Sequence, residues 1–475
     1  MELSGIFPVA GILLSLFLLM GFAYKGYSVI LFAPVLALLA AFMQGFPVMP
    51  TYTELFMEKA AGYIKLFFPV FLLGAVLGKL MEDTGMAKSI ARQIVKMMGK
   101  ERAILAVVLA CAVLTYGGVS LFVVAFAVYP LAAAMFKEAD IPKRLVPGSI
   151  ALGSFTFTMT MLPGTPQIQN VIPVGFYGTT TWAAPLMGTI AAMITCAAGM
   201  MWLEYRRKKA RFAGEGYGTH YLNESSATAN AAGLPPWHIS LLPLVAVISI
   251  NFLLTFFWSW DPESLKPLQG IGLKMIAPSV KNTAGIWALI IGLVAAIVLA
   301  VAIGYPYLSG EQGLLSSLNA GAIGSLLAIM NTASEVGYGS VISALPGFKS
   351  VASFLMSIKL GGIPLVSEFF TVNILAGITG SASGGMSIAL GVMAKDWLAW
   401  ANQVGLSPEL LHRIASIASG GFDTLPHNGA VITLLAICGM THVKSYADIG
   451  VCSVVIPFLT GILVIFLYTI TGLSF

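Results

Sequence analysis

The chain has 475 residues, of which 58% are hydrophobic and only 9% charged, with a mean hydropathy of +0.90. A soluble globular chain carries roughly a quarter charged residues, so this composition argues against a soluble enzyme and predicts a polytopic membrane protein. The formal net charge of +5 does not point to nucleic acid, because the basic residues fall in short loops beside apolar segments, where they set orientation.

Segments of roughly 20 apolar residues can cross a hydrocarbon core. Residues 4–23, 27–46, 62–81, 185–204, 238–258, 284–304 and 449–472 qualify on hydropathy alone. The first lacks the basic flank of a signal peptide, which predicts a retained helix. Residues 86–101 are amphipathic and basic, the pattern of a helix lying in the interface and joining a fixed scaffold to a mobile unit. Residues 103–136 follow, interrupted by Thr115-Tyr116-Gly117-Gly118-Val119-Ser120. These 34 residues are too many for one span and too few for two, which predicts a re-entrant hairpin. Next come Ile141-Pro142-Lys143-Arg144-Leu145 and a helix broken at Leu162-Pro163-Gly164-Thr165-Pro166.

The polar stretch 205–237 divides the chain, and the second half repeats these landmarks in order. A second amphipathic stretch lies at 345–358, and an apolar segment over 364–400 is interrupted by Thr379-Gly380-Ser381-Ala382-Ser383-Gly384-Gly385. Then Leu406-Ser407-Pro408-Glu409-Leu410-Leu411 leads into a helix broken at Leu425-Pro426-His427-Asn428-Gly429. The expected organisation is N-terminal scaffold helices over 1–60, a first repeat over 61–204 with its hairpin at 103–136, and a linker at 205–237. Further scaffold helices over 238–310 precede a second repeat at 311–475 with its hairpin at 364–400. If the first hairpin enters and leaves on one side, that side collects 16 of the 25 Lys and Arg and is cytoplasmic. The second hairpin then opens on the opposite face. The fold class so predicted is all-α, about ten transmembrane helices plus two re-entrant hairpins in two inverted repeats, with both termini outside. Cys111, Cys196, Cys438 and Cys452 all lie in apolar segments and read as buried thiols without disulfides.

Unpaired backbone at bilayer depth survives only where protein covers it or it lines a wet cavity. In inverted-repeat transporters such breaks build the substrate site near the midplane. Here the four breaks are 115–120, 163–167, 379–385 and 425–429. Helices starting after each one aim N-termini at the centre and favour an anion. No Lys or Arg lies inside a break, so the expected ligand is a small acid held by backbone amides and hydroxyls. The candidate binding residues are Thr115, Tyr116, Gly117, Gly118, Ser120, Gly164, Thr165 and Gln167 in the first half. In the second they are Thr379, Gly380, Ser381, Ser383, Gly384, Gly385, Thr424, Asn428 and Gly429.

Ionisable groups within a membrane are functional candidates by default. Glu335 lies in Asn331-Thr332-Ala333-Ser334-Glu335-Val336-Gly337-Tyr338-Gly339, Asp423 just precedes the second helix break, and His427 lies in it. These three are the candidates for proton coupling. Glu368, near the mouth of the second hairpin, is expected at the interface.

Thr115-Tyr116-Gly117-Gly118, the 381–387 run, the 162–166 break and Asp423-Thr424-Leu425-Pro426-His427-Asn428-Gly429 together resemble the GntP-type gluconate permease family of the ion-transporter superfamily. The resemblance covers nearly the whole chain, and 331–339 with 420–429 is most similar to the D-beta-hydroxybutyrate permease branch. It implies proton-coupled symport of a small hydroxy-carboxylate across a bacterial inner membrane. It also implies a homodimer in which a hairpin-bearing domain moves against a scaffold like an elevator, with no cofactor and no metal. Sodium coupling is the nearest alternative, since carbonyls at the breaks suit Na⁺. A membrane-embedded hydrolase would need a pair such as Ser383 and His427, and no nucleophile-elbow or HExxH signature accompanies them. A passive channel would not need buried titratable acids.

Overall fold

The computed structural model describes residues 6–25, 27–218, 233–269, 280–308, 313–348, 350, 362–426 and 428–472. These residues form helices and connecting turns, with no strand among them. Six described helices are long and apolar enough to cross a membrane: Val48–Asp83, Pro185–Phe212, Trp237–Phe256, Thr283–Tyr307, Leu314–Ala344 and His442–Thr471.

In chain order, α1 (Ile6–Tyr24) and α2 (Val29–Met43) precede α3 (Val48–Asp83). The third is 36 residues long, so one helix crosses the boundary expected at residue 60. At 1.5 Å per residue it measures about 54 Å, well beyond a hydrocarbon core of about 30 Å. The amphipathic stretch becomes α4 (Met86–Met98), which buries Met86, Ala87, Ser89, Ile90 and Ala91. Next come α5 (Ala103–Tyr116) and α6 (Leu121–Glu138), then α7 (Val146–Ser154), a single turn at Phe157–Thr160, and α8 (Ile168–Tyr177). The helix α9 (Pro185–Phe212) carries the span two turns into the stretch expected as linker.

The second half contains α10 (Trp237–Phe256), α11 (Lys281–Gly304) and α12 (Leu314–Ala344). Asn331, Ser334 and Glu335 interrupt the apolar pattern of α12. The helices α13 (Leu365–Thr379) and α14 (Ala382–Gln403) match the second interrupted segment. Then come α15 (Pro408–Ser419), a turn at Phe422–Thr424, α16 (Gly429–Ile437) and α17 (His442–Thr471). Most of the stretch at 345–358 lies outside the described residues.

The helices α3 and α12 form the central pair and run antiparallel. Gly321 sits against Val76, Gly337 against Phe56, and Ser317 Oγ donates to Asp83 Oδ2 at 2.7 Å. Glycine at such contacts lets the helices approach closely, as packing without a strong hydrophobic drive requires. Around this pair, α5–α6 and α13–α14 are two helical hairpins with tight turns, and each second arm packs on the broken helix of the other half: α14 on α8, and α6 on α16. The four cysteines are free, and three of them are buried.

Candidate substrate and coupling site

Each hairpin turn is bound to a helix break by one amide side chain. Gln167 immediately precedes α8, and its Nε2 donates to Thr115 O (2.7 Å) and Val119 O (3.3 Å) in the first turn. Asn428 immediately precedes α16, and its Nδ2 donates to Gly380 O (2.7 Å) in the second. Two further contacts close the first clamp. Tyr116 OH donates to Pro163 O at 2.8 Å, and a Cβ at Gly118 would stand 2.9 Å from Pro166 Cγ. Gly118 also has φ +94°, a conformation glycine adopts without strain.

The carbonyls freed by the breaks find local donors, as buried backbone requires. Thr156, Thr158 and Thr160 hydroxyls donate to Leu152, Gly153 and Thr156 carbonyls. The two broken helices also touch: Ser416 Oγ donates to Thr160 O (2.7 Å), and Gly420 packs on the Thr160 side chain. Asn373 of α13 approaches the second break, its Oδ1 accepting from Phe422 N at 3.4 Å.

The structure thus joins Thr115, Tyr116, Gly118 and Gln167 in one cluster, and Gly380 and Asn428 in another. Ser381 and Ser383 lie 3.5 Å apart at the second tip, and Ser383 Oγ is 3.5 Å from Thr332 Oγ1 of α12. Gly117, Gly164 and Thr165 are buried, Ser120 and Ser381 half-buried, and Gly429 exposed. Thr379 turns its hydroxyl onto Leu375 O, and Thr424 turns its own onto Ser453 of α17. His427 lies outside the described residues.

Glu335 is 2% exposed and abuts the second hairpin: a Cβ on Gly384 would stand 1.6 Å from Glu335 Oε2. That oxygen has no hydrogen-bond partner, and Tyr63, whose hydroxyl lies beside that of Ser387, is close to it. Asp423 is buried, with Oδ1 also unpartnered, and lies near Tyr446. Glu368, expected at the interface, is fully buried inside the protein and accepts a hydrogen bond from Tyr177 OH. The hairpin mouth is covered by the end of α8, a long-range contact that the local sequence around Glu368 does not show.

Sequence reasoning also passed over Arg413. It is fully buried on α15, and its guanidinium donates to Ala183 O (2.7 and 3.0 Å), Met161 O (3.1 Å), Thr181 O (3.4 Å) and Asn170 Oδ1 (3.0 Å). Asn170 Nδ2 donates to two carbonyls, so its Oδ1 faces both Arg413 and His412 Nε2 (3.3 Å). This fixes His412 with the proton on Nε2, leaving Nδ1 to accept from Thr179 at 2.6 Å.

Long apolar helices enclosing interrupted, hydroxyl-rich backbone define a membrane transporter. The sequence matches the GntP family permease model over residues 3–470, and the chain belongs to that family. It is 49% identical to the uncharacterized transporter YxjC of Bacillus subtilis over 472 residues, covering 97% of this chain and 99% of that one. An uncharacterized transporter of Haemophilus influenzae is 26% identical over 203 residues, 42% of this chain and 45% of its own. Among solved structures, Neisseria gonorrhoeae MtrF, of a class of antimetabolite efflux pumps, aligns with a TM-score of 0.52 and 12% identity. That alignment covers 85% of this chain and 82% of MtrF, a likeness of fold alone. Family membership and the relatives' names speak for a transporter of small molecules, not an enzyme.

Proposed function

We propose that the chain is a secondary active transporter that carries a small hydroxy-carboxylate, of 3-hydroxybutyrate or gluconate type, in symport with protons. The observation that carries this reading is the pair of amide clamps, Gln167 on the first hairpin turn and Asn428 on the second. Each brings interrupted backbone of one hairpin and one broken helix together, the arrangement that binds substrate in transporters of this kind. The α5–α6 and α13–α14 pairs are read as re-entrant hairpins of two inverted repeats. Their antiparallel centre (α3 against α12) and the exchange of packing between α14 and α8 and between α6 and α16 support that. Movement is elevator-like, within a homodimer in a bacterial inner membrane.

Glu335 is the first candidate for the coupling proton, because it is buried, unpaired and in contact with the second hairpin tip. Asp423 is the second, and His427 remains a candidate from its place in the break. One observation favours sodium as an alternative: Glu335 Oε2 is a buried, unpartnered oxygen with the Tyr63 and Ser387 hydroxyls in its neighbourhood, and oxygens are the ligand type that hard cations take.

The test is uptake of labelled 3-hydroxybutyrate and gluconate into proteoliposomes, with proton and sodium gradients imposed separately. Proton-driven uptake that is lost in Glu335→Gln supports the proposal. Uptake driven by sodium alone sinks proton coupling, and the absence of carboxylate uptake under either gradient sinks the substrate class.

A further inference from the structure

Glu368 is a buried acid with no task in the transport cycle proposed above. It lies fully inside the protein on the first turn of α13, where the end of α8 covers the mouth of the second hairpin. Tyr177 OH donates to its Oε1, and Oε2 has no hydrogen-bond partner. Beside it, Trp397 Nε1 donates to Ser367 Oγ at 3.1 Å and ties the two arms of the hairpin together across the mouth.

A structural role would leave marks that are absent here. An acid at the start of a helix serves as a cap by accepting from backbone N–H groups, and among the described residues Glu368 accepts from Tyr177 alone. A structural ion pair needs a cation, and among the described residues none stands at ion-pair distance. The titratable groups on the elements packed around α13 are engaged elsewhere. On α15, Glu409 reaches Ala184 N, His412 bonds Thr179 and Asn170, and Arg413 bonds four neutral oxygens. Lys395 and Asp396 of α14 are exposed, and Asp423 lies near Tyr446 at the other end of the break. The helix α1 carries no acidic or basic residue, and α17 meets α13 through Phe458 and Gly461. The first arm of the other hairpin, α5, contains no acid, so the hairpin architecture does not call for one. A carboxylate buried with a single hydrogen bond is costly, and an ionisable group at such depth in a membrane protein is a functional candidate.

We infer that Glu368 is a second proton-carrying site, in addition to Glu335, with the transported proton on Oε2. Tyr177 holds the carboxyl through Oε1 and leaves Oε2 free to take a proton from water on one side of the membrane and return it on the other. The acid lies inside a hydrogen-bonded body made by the hairpin arm, the end of α8 and α15, joined by Tyr177 to Glu368 and by Thr179 to His412. A proton held there moves with the hairpin. Tyr177 and Trp397 close the mouth around it, so loading and release need that mouth to open, which ties protonation to the movement. This inference rests on the proton-symport reading above and adds to it a second coupling residue and a stoichiometry of two protons.

The experiment gives proteoliposomes a fixed pH gradient at zero membrane potential and measures the gradient of labelled 3-hydroxybutyrate or gluconate at which net flux stops. Each proton carried per substrate multiplies that balancing gradient about tenfold per pH unit. The wild type is expected to balance at about a hundredfold per pH unit, and Glu368→Gln at about tenfold. A residue that only supports the fold changes the rate or the yield and leaves the balance point where it was, because stoichiometry alone sets it. Glu368→Met, an apolar side chain of similar length, is measured in parallel with the same expectation, since replacing a buried charge by a packed apolar group preserves folding where an amide fails. A wild-type balance point in either variant overturns the inference, as does a wild type that balances at tenfold. A wild type whose balance point ignores the pH gradient overturns the proton-symport reading itself.

Discussion

The contact between Gly384 and Glu335 gives the sharpest test of how this buried acid, proposed here for coupling, meets the hairpin. A methyl group at 384 would lie 1.6 Å from Glu335 Oε2 and 2.2 Å from its carboxyl carbon. Ordinary heavy-atom contacts lie at about 3.5 Å, so the carboxyl must retreat by about 2 Å. The obstacle is the tip of a flexible side chain, so Gly384→Ala should fold, at an overpacking cost of ~1–3 kcal/mol. Gly385→Ala is different in kind. Its Cβ would stand 2.1 Å from the backbone nitrogen of Ala376 on the opposite arm, and the hairpin cannot close around it.

A double-mutant cycle isolates the contact. In a Glu335→Ala background the obstructing carboxyl is gone, and Gly384→Ala should then cost nothing or stabilise, since alanine favours helix over glycine by ~1 kcal/mol. The expected coupling is therefore ~1–4 kcal/mol, read from unfolding of the purified protein in detergent. Gly391→Ala on the same helix, where nothing lies within 4 Å of the added methyl, serves as the control. If Gly384→Ala costs as much with Glu335 absent as with it present, the carboxyl does not rest on the hairpin tip and the coupling argument loses its geometric basis.

Tyr177→Phe removes the hydroxyl that Glu368 accepts from, leaving a fully buried carboxyl without that partner. A loss of ~1–3 kcal/mol in the same unfolding assay is expected, and a change within a few tenths would show that the pair does not hold α8 to α13. Outside the membrane-spanning segments, Arg144 grips Glu215 at 2.7 and 2.9 Å, and this ion pair holds the Glu215 carboxyl below its ordinary range. A depressed folded-state pKa contributes stability above the unfolded value, about 4.3, and that stability is lost as pH falls through the folded one. Glu215→Gln should therefore cost under ~1 kcal/mol at pH 7, the pair being partly exposed. The difference from wild type should shrink as pH falls below about 4, and a difference that grows there would refute the assignment.

The interrupted segments were legible in the sequence because each signal is local. Gly117-Gly118, the Pro-Gly break at 163–164 and the Ser-Gly run at 381–385 are helix-breaking residues inside apolar stretches, and the structure turns at or beside each of them. The span α12 interrupts its apolar pattern with polar residues, of which Thr332 and Glu335 lie against the second hairpin. The burial of Glu368 and the Arg413 clamp were not legible at all. Both depend on residues roughly 190 to 250 positions away, Tyr177 for the first and Met161, Thr181 and Ala183 for the second. The difference in capping between α8 and α16 belongs to the same kind. The sequence places an amide, Gln167 or Asn428, at the start of each helix, and nothing in that pairing distinguishes them. Asn428 has the shorter stem, so one amide reaches both its own helix's N–H groups and the hairpin carbonyl, while Gln167 extends to two hairpin carbonyls and makes no side-chain cap on its own helix. One methylene between the two side chains thus separates a helix end capped by its own side chain from one without such a cap.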